Sequence, residues 1–161
     1  MAQSDAFLKI DGIQGESTDK THPDEFDLIH WDFGVTNSST MGTGGGAGGG
    51  KASLEPIPVT THVGKSSPEL FLRSCTGKVF PEAIITCRKA GDQPLDFLKI
   101  TLKDVFISSY RLSGAGGGEK PIENWNLNYA DIKLEYQAQK NDGSGEGFIG
   151  KHFNVQENVG A

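Results

Sequence analysis

Apolar and β-branched residues alternate with polar residues at every second position through most of this 161-residue sequence. Such alternation predicts strands that bury one face and expose the other. Antiparallel strands of this kind form barrels or two-sheet sandwiches. Six segments show the pattern: residues 6–13, 25–37, 83–90, 95–112, 123–139 and 151–159.

The alternation also predicts which side chains share a face. Within 25–37, one face holds Ile29, Trp31, Phe33 and Val35, and the other holds Leu28, His30 and Asp32. Within 95–112, one face holds Leu98, Ile100, Leu102 and Phe106. A change of phase after Tyr129 predicts a bulge or a short turn at Ala130 and Asp131.

One segment departs from the alternation and predicts a single α-helix at about residues 67–76. A serine N-cap, a proline in the first turn and Gly77 at the end are typical helix boundaries. We expect Leu70 and Phe71 to pack onto the sheet, with Cys75 one turn further along the same side. The predicted fold is therefore mainly β: an antiparallel two-sheet β-barrel with one short helix and long glycine-rich loops, in a single domain over residues 1–161.

Charge and hydropathy exclude several classes of partner. The net charge of -6 gives no basic surface for nucleic acid or anionic lipid. The first thirty residues contain no long apolar stretch, so we expect neither a cleavable signal peptide nor a membrane-inserted segment. The chain is therefore expected to be made and folded in the cytoplasm.

A glycine-rich run from Met41 to Lys51 has part of a phosphate-binding P-loop pattern, from Gly45 to Lys51. The position that should hold a Ser or Thr for Mg²⁺ is Ala52, and closely spaced prolines after it exclude the required helix. We interpret the run as a flexible loop between strands, too long and too poor in side chains for a compact local hairpin. Similar loops at 113–120 and 140–151 are expected to order only against a partner.

No arrangement of residues predicts a metal site, a cofactor or an enzyme. Cys75 and Cys87 lie too far apart for a C-x-x-C motif and are interpreted as reduced core or half-buried residues. The acidic segment 19–27 lacks the pattern of a calcium loop and is interpreted as a solvated turn, with a cation site as the alternative. No nucleophile motif is present, although two carboxylates that meet in space remain an open alternative.

The order of segments resembles the Hcp proteins of the bacterial type VI secretion system. The matching segments, in order, are "FLKIDGIQGES", the W-x-F pattern at 31–33, the glycine-rich loop, the start of the helix, "AIITCRKAG", "FLKITLKDVFISSY" and "ENWNLNYADIKLEYQAQ". The resemblance covers the chain from Phe7 to about Val159.

The resemblance implies a structural protein without catalytic chemistry. Hcp proteins assemble into hexameric rings with a wide channel, and stacked rings form a tube inside a contractile sheath. Contraction expels the tube, capped by a VgrG spike, and some members carry small effectors in the channel. The implied location is therefore the cytoplasm before assembly, then the extracellular space or a target cell.

The resemblance also implies positions for the functional residues. Asp32, the middle residue of the W-x-F pattern, and its neighbour His30 are expected to face the channel. This chain has a carboxylate where many relatives have a small hydroxyl residue. The expected contact loop between subunits or rings consists of Met41, Gly42, Gly44, Gly45, Gly46, Gly48, Gly49, Gly50 and Lys51.

Two other functions remain open at this stage. The first is a free-standing barrel that binds a small ligand or peptide in its mouth. The second is a secreted carrier or effector-like protein within the same secretion system.

Overall fold

Strands dominate the fold, as the alternation predicts. The computed structural model describes residues 4–38 and 51–161. In this part of the chain the elements are β1 (Ser4–Ile10), β2 (Phe26–Asp27), β3 (His30–Trp31), β4 (Val35–Asn37), β5 (Ala52–Leu54), β6 (Ile57–His62), α1 (Ser67–Thr76), β7 (Phe80–Lys89), β8 (Leu95–Ser113), β9 (Ile122–Asn128), β10 (Asp131–Tyr136), β11 (Ile149–Asn154) and β12 (Val159–Gly160).

The long strand β8 belongs to two antiparallel sheets. Its first half pairs with β7 and β10, and its second half pairs with β9. The large sheet has the order β12-β11-β10-β8-β7-β1-β2, and the small sheet has the order β3-β6-β9-β8. The side chains between the two sheets form one core, with Trp125, Phe80 and Leu8 among its fully buried members.

The opposite side of the barrel is joined where the chain passes from β2 to β3. Leu28 N donates to Ala6 O of the large sheet at 2.9 Å, and Ile29 N donates to Thr60 O of the small sheet at 2.8 Å. Within the described residues no strand ladder connects β2 to β3. The two-sheet barrel is therefore confirmed, but strands at the ends of its sheets keep free edges.

This crossing explains why the alternation fails within residues 25–37. Leu28 packs against the core, whereas Ile29 is 52% exposed, the reverse of the prediction. The chain changes sheets between these two residues, so the inward-facing positions change phase. Alternation holds again afterwards, with Trp31 and Phe33 against the core, but Val35 is exposed in the separate β4–β5 ribbon.

A second change of phase occurs where β8 leaves the large sheet. Asp104 has a positive φ of 51°, and beyond it Val105 and Ile107 are buried. The prediction that Phe106 shares the face of Leu102 is therefore wrong. The predicted turn between β9 and β10 is confirmed, since one strand ends at residue 128 and the next begins at 131.

Helix α1 has the predicted boundaries but buries less than predicted. Leu70 is fully buried against the core, whereas Phe71 is 58% exposed and Cys75 is exposed. Adjacent residues on a helix point about 100° apart, so Phe71 leaves the face that Leu70 occupies. Cys87 is a buried core residue as predicted, and both cysteines are free thiols.

A buried carboxylate, Glu123, joins this helix to the small sheet. Glu123 is only 1% exposed. Its carboxylate accepts hydrogen bonds from Ser67 Oγ, in the first turn of α1, and from Thr61 Oγ1 at 3.2 Å. Trp125 Nε1 donates to the same threonine hydroxyl at 3.1 Å. Burial, with the negative charge of Glu123, raises the pKa of Tyr110 to about 12. The Tyr110 phenol is therefore neutral at neutral pH.

Residues 14–25 form a strap that folds back on itself beside β1. Gly15 N donates to Asp24 O at 2.8 Å, Ser17 N donates to Glu25 O at 2.9 Å, and Asp24 N donates to Ser17 O at 2.9 Å. The two arms of the strap are thus held together by backbone hydrogen bonds. Gly15 is required there, because a Cβ at this position would lie 2.4 Å from Glu25 O.

Candidate functional site

The outer face of the small sheet contains both residues that were expected to face a channel. His30 pairs with Thr60 in the β3–β6 ladder and is exposed. Asp32 is also exposed, and its backbone N–H donates to Pro58 O at 3.2 Å. Trp31, between them, packs against the core. His30 and Asp32 therefore lie on the opposite side of the strand from Trp31, as predicted. That His30 and Asp32 face a channel stays a prediction.

Amide and hydroxyl groups recur along this outer face, here called the polar face, beside the charged side chains of Asp32 and Arg111. Asn124 lies beside Thr60, whose hydroxyl donates to the asparagine Oδ1 at 2.7 Å, and Asn126 lies beside Ser109. Arg111 pairs with Asn124 and is exposed. The asparagines occupy every second position of "NWNLN", so alternation alone places them on one face. The prediction of channel-facing residues nevertheless named only His30 and Asp32. Side chains that hydrogen-bond without a net charge give a wettable surface without a strong field.

The predicted contact loop falls mainly outside the described residues. Met41 to Gly50 are not described, and Lys51 is exposed. The flanks of the loop pair with each other, with Val35 opposite Leu54 and Asn37 opposite Ala52. A short antiparallel ribbon, β4–β5, therefore flanks the loop, whose own path and proposed contacts lie outside the described residues.

The acidic segment 19–27 is not the solvated turn that its composition indicates. His22 and Glu25 are buried, and Asp19 accepts two hydrogen bonds from the Arg88 guanidinium, each at 2.8 Å. Arg88 also reaches Asp5 and lies over the Phe7 ring. The hydrogen bonds from Arg88 hold the pKa of Asp19 well below its usual range. These carboxylates fix the strap to the large sheet.

His22 lies flat on Phe7, with 4.5 Å between the ring centroids, and has a carboxylate at each ring nitrogen. Nδ1 is 2.8 Å from Glu25 Oε2, and Nε2 is 3.1 Å from Asp96 Oδ1. Ionised carboxylates only accept hydrogen bonds, so both nitrogens can be satisfied only in the protonated ring. Burial acts to lower the pKa of His22, but the bonds to Asp96 and Glu25 outweigh it and the pKa is raised.

The His22 contacts predict a pH-dependent contribution to stability. Because the folded-state pKa lies above the ordinary 6.5, this contribution is fully present below pH 6.5 and is lost as the pH rises through the folded-state pKa. We expect His22→Gln to lower the free energy of unfolding by about 2 kcal/mol at pH 6. Urea unfolding of both proteins from pH 6 to pH 9 should show this difference shrinking, and a constant difference would contradict the assignment.

An apolar groove of about 320 Å³ lies between the β4–β5 ribbon and the β10–β11 pair. Its lining residues are Phe33, Val35, Ala52, Leu54, Ile132, Leu134, Lys151, His152 and Phe153. Beyond the groove, the same face of β10–β11 continues through exposed Tyr136 and Ile149. The core-facing side of this strand pair is therefore only partly covered.

The described residues show no centre for metal chemistry. Over residues 4–38 and 51–161, His, Cys, Asp and Glu side chains nowhere form a group of three that could hold a metal ion. No helix in these ranges is long and apolar enough to cross a membrane.

Comparison with known proteins identifies close relatives. The family model described as "Type VI secretion system effector, Hcp" matches residues 7–136. Protein hcp1 of Pseudomonas aeruginosa is 41% identical over 159 residues, which cover 98% of each chain. The crystal structure of Hcp1 from Salmonella typhimurium superposes with a TM-score of 0.81 at 34% identity, covering 100% of both chains. A structure described as a type six secretion system protein gives a TM-score of 0.92 at 27% identity, covering 99% of this chain and 100% of its own.

Proposed function

Because the chain belongs to the Hcp family of type VI secretion system proteins, a family of secreted structural proteins, we propose that it is the subunit of the secreted inner tube. In this proposal six copies form a ring, and stacked rings form a tube that sheath contraction expels with a VgrG spike. No catalytic step is required of any residue.

The polar face is the observation that supports this function best. A channel that carries folded cargo needs a surface that stays hydrated and does not bind tightly to any one charge. The polar face meets this requirement through Thr60, Asn124 and Asn126. We therefore assign the polar face, with His30 and Asp32, to the channel wall. Small effector proteins would contact it during export.

The mass of the assembled protein in solution tests the ring. We expect light scattering after size-exclusion chromatography to give six times the 17.2 kDa of one chain. A mass of one or two chains at all concentrations would contradict the ring and favour a free-standing ligand-binding barrel.

The glycine-rich segment from Met41 to Lys51 is proposed as a contact between subunits or rings. A variant lacking Gly44 to Gly49 should therefore assemble less tightly in the same measurement.

A label at Asp32 tests the assignment of the channel wall. In a Cys75→Ser background, which removes the exposed native thiol, Asp32→Cys can be labelled with a maleimide-linked gold particle. Electron microscopy should show the particle at the centre of the ring. Asp92→Cys, in the exposed loop between β7 and β8, serves as the control and should place the particle away from the centre. Gold at the periphery in both variants would contradict the assignment.

A further inference from the structure

The two ends of the large sheet carry complementary surfaces. We propose that neighbouring subunits join head to tail through these ends, with the β10–β11 end of one copy receiving the β2 end of the next. This inference rests on the proposed ring and assigns the surfaces that build it. The apolar edge is defined as Leu134, Tyr136, Ile149 and Lys151, and the acidic corner as Asp27 and Ile29.

The apolar edge is a core face that nothing in the described chain covers completely. Leu134 and Tyr136 pair with Ile100 and Leu98 of β8, so they point to the same side as the barrel core. They are nevertheless 42% and 48% exposed, and Ile149, opposite Tyr136, is 76% exposed. An apolar surface of this kind on a strand pair indicates a missing layer of protein.

The edge is also open along its backbone. Strand β12 is two residues long and pairs with Phe153 and Asn154 at the end of β11, and Ala161 after it exchanges backbone hydrogen bonds with His152. In the part of the chain that the structure describes, the first residues of β11 have no strand partner on that side. Such an edge offers unpaired backbone groups to another chain.

The acidic corner lies at the opposite end of the same sheet. Asp27 pairs with Phe7 and points to the outer side, and Ile29 follows it with half of its surface exposed. Burial and the negative charges of Asp19 and Asp5 raise the pKa of Asp27. The nearby Arg88 is engaged by those two carboxylates. Asp27 therefore has excess negative charge around it and no cationic partner among the described residues.

Lys151 supplies the opposite charge at the apolar edge. It is exposed, lies beside Leu134 in the β10–β11 ladder, and has no carboxylate partner among the described residues. Each end thus combines exposed aliphatic surface with one uncompensated charge, and the two charges are opposite. Because the two surfaces differ and lie at opposite ends of one sheet, the contact is heterologous. A heterologous contact that repeats from copy to copy closes into a ring when the rotation between neighbouring subunits divides a full turn evenly.

Charge reversal tests this contact. We expect Lys151→Glu alone, and Asp27→Lys alone, to raise the concentration needed for ring assembly at least tenfold in light scattering. The double variant Lys151→Glu/Asp27→Lys should recover most of the assembly, because the pair is restored with reversed signs. Lys140→Glu, at an exposed loop position outside both surfaces, is the matched control and should assemble like the unmodified protein. Thermal unfolding at low concentration should show that all four variants fold.

The outcomes separate this inference from the proposed function. Rings that form equally well in both single variants and the control would overturn the assigned surfaces while leaving the ring intact. Folded single variants that lose assembly without recovery in the double variant would overturn the Lys151–Asp27 pairing. A monomeric unmodified protein at every concentration would overturn both the ring and this contact.

Discussion

Replacing Gly15 with alanine should lower the free energy of unfolding by about 3 kcal/mol, which is near the upper end for overpacking a closed site. The added methyl group would lie 2.4 Å from Glu25 O, 2.6 Å from Glu25 C and 2.7 Å from Phe26 N. All three are backbone atoms, so no side-chain rotation relieves the contact. The two arms of the strap must therefore separate, and the backbone hydrogen bonds between them are lost.

Gly116→Ala is the matched control for this substitution. The site lies in the exposed β8–β9 loop, and a Cβ there meets nothing within 4 Å. We expect a change within about 0.5 kcal/mol. Urea unfolding at pH 7 measures both variants. Equal stabilities for the two variants would show that the two arms of the strap do not pack closely at Gly15.

Removing the buried carboxylate of Glu123 should produce a loss of similar size. Glu123→Ala deprives the Ser67 and Thr61 hydroxyls of their acceptor and leaves a cavity between α1 and the small sheet. Each hydroxyl left unsatisfied costs about 1–3 kcal/mol, and we expect a total loss of about 3 kcal/mol in urea unfolding. Glu119→Ala, in the exposed loop before β9, is the control and should change stability by less than about 0.5 kcal/mol.

Glu123→Gln separates hydrogen bonding from packing at this site. The amide keeps one oxygen acceptor and nearly the same volume, so its loss should be smaller than that of Glu123→Ala. If both variants are as stable as the unmodified protein, the buried network does not hold the helix to the sheet.

Much of the fold follows from the alternation of apolar and polar residues. The alternation correctly indicates the strands around Leu8, Ile85, Ile100 and Trp125, because in each of them buried core residues recur at every second position. It fails where the chain changes sheets, since a crossing at Leu28 and Ile29 alters which positions face inward. The positive φ of Asp104 has the same effect in β8. Such changes of phase depend on the path of the whole barrel and not on local composition.

The surroundings of a candidate site residue could be predicted from the sequence only where they depend on the alternation within one strand. The exposure of His30 and Asp32 on the side opposite Trp31 follows from local alternation. The burial of His22 does not, because it requires Asp96, which is distant in the sequence and adjacent in space. Local composition also could not distinguish a solvated acidic turn from carboxylates that are paired with Arg88.

Negative-stain electron microscopy of the purified protein tests the central claim most directly. The proposed function predicts rings of six subunits with an open centre, present at micromolar concentration without any added protein. The same rings should be found end to end where tubes form. A field of single compact particles without a central opening, at every concentration examined, would contradict it.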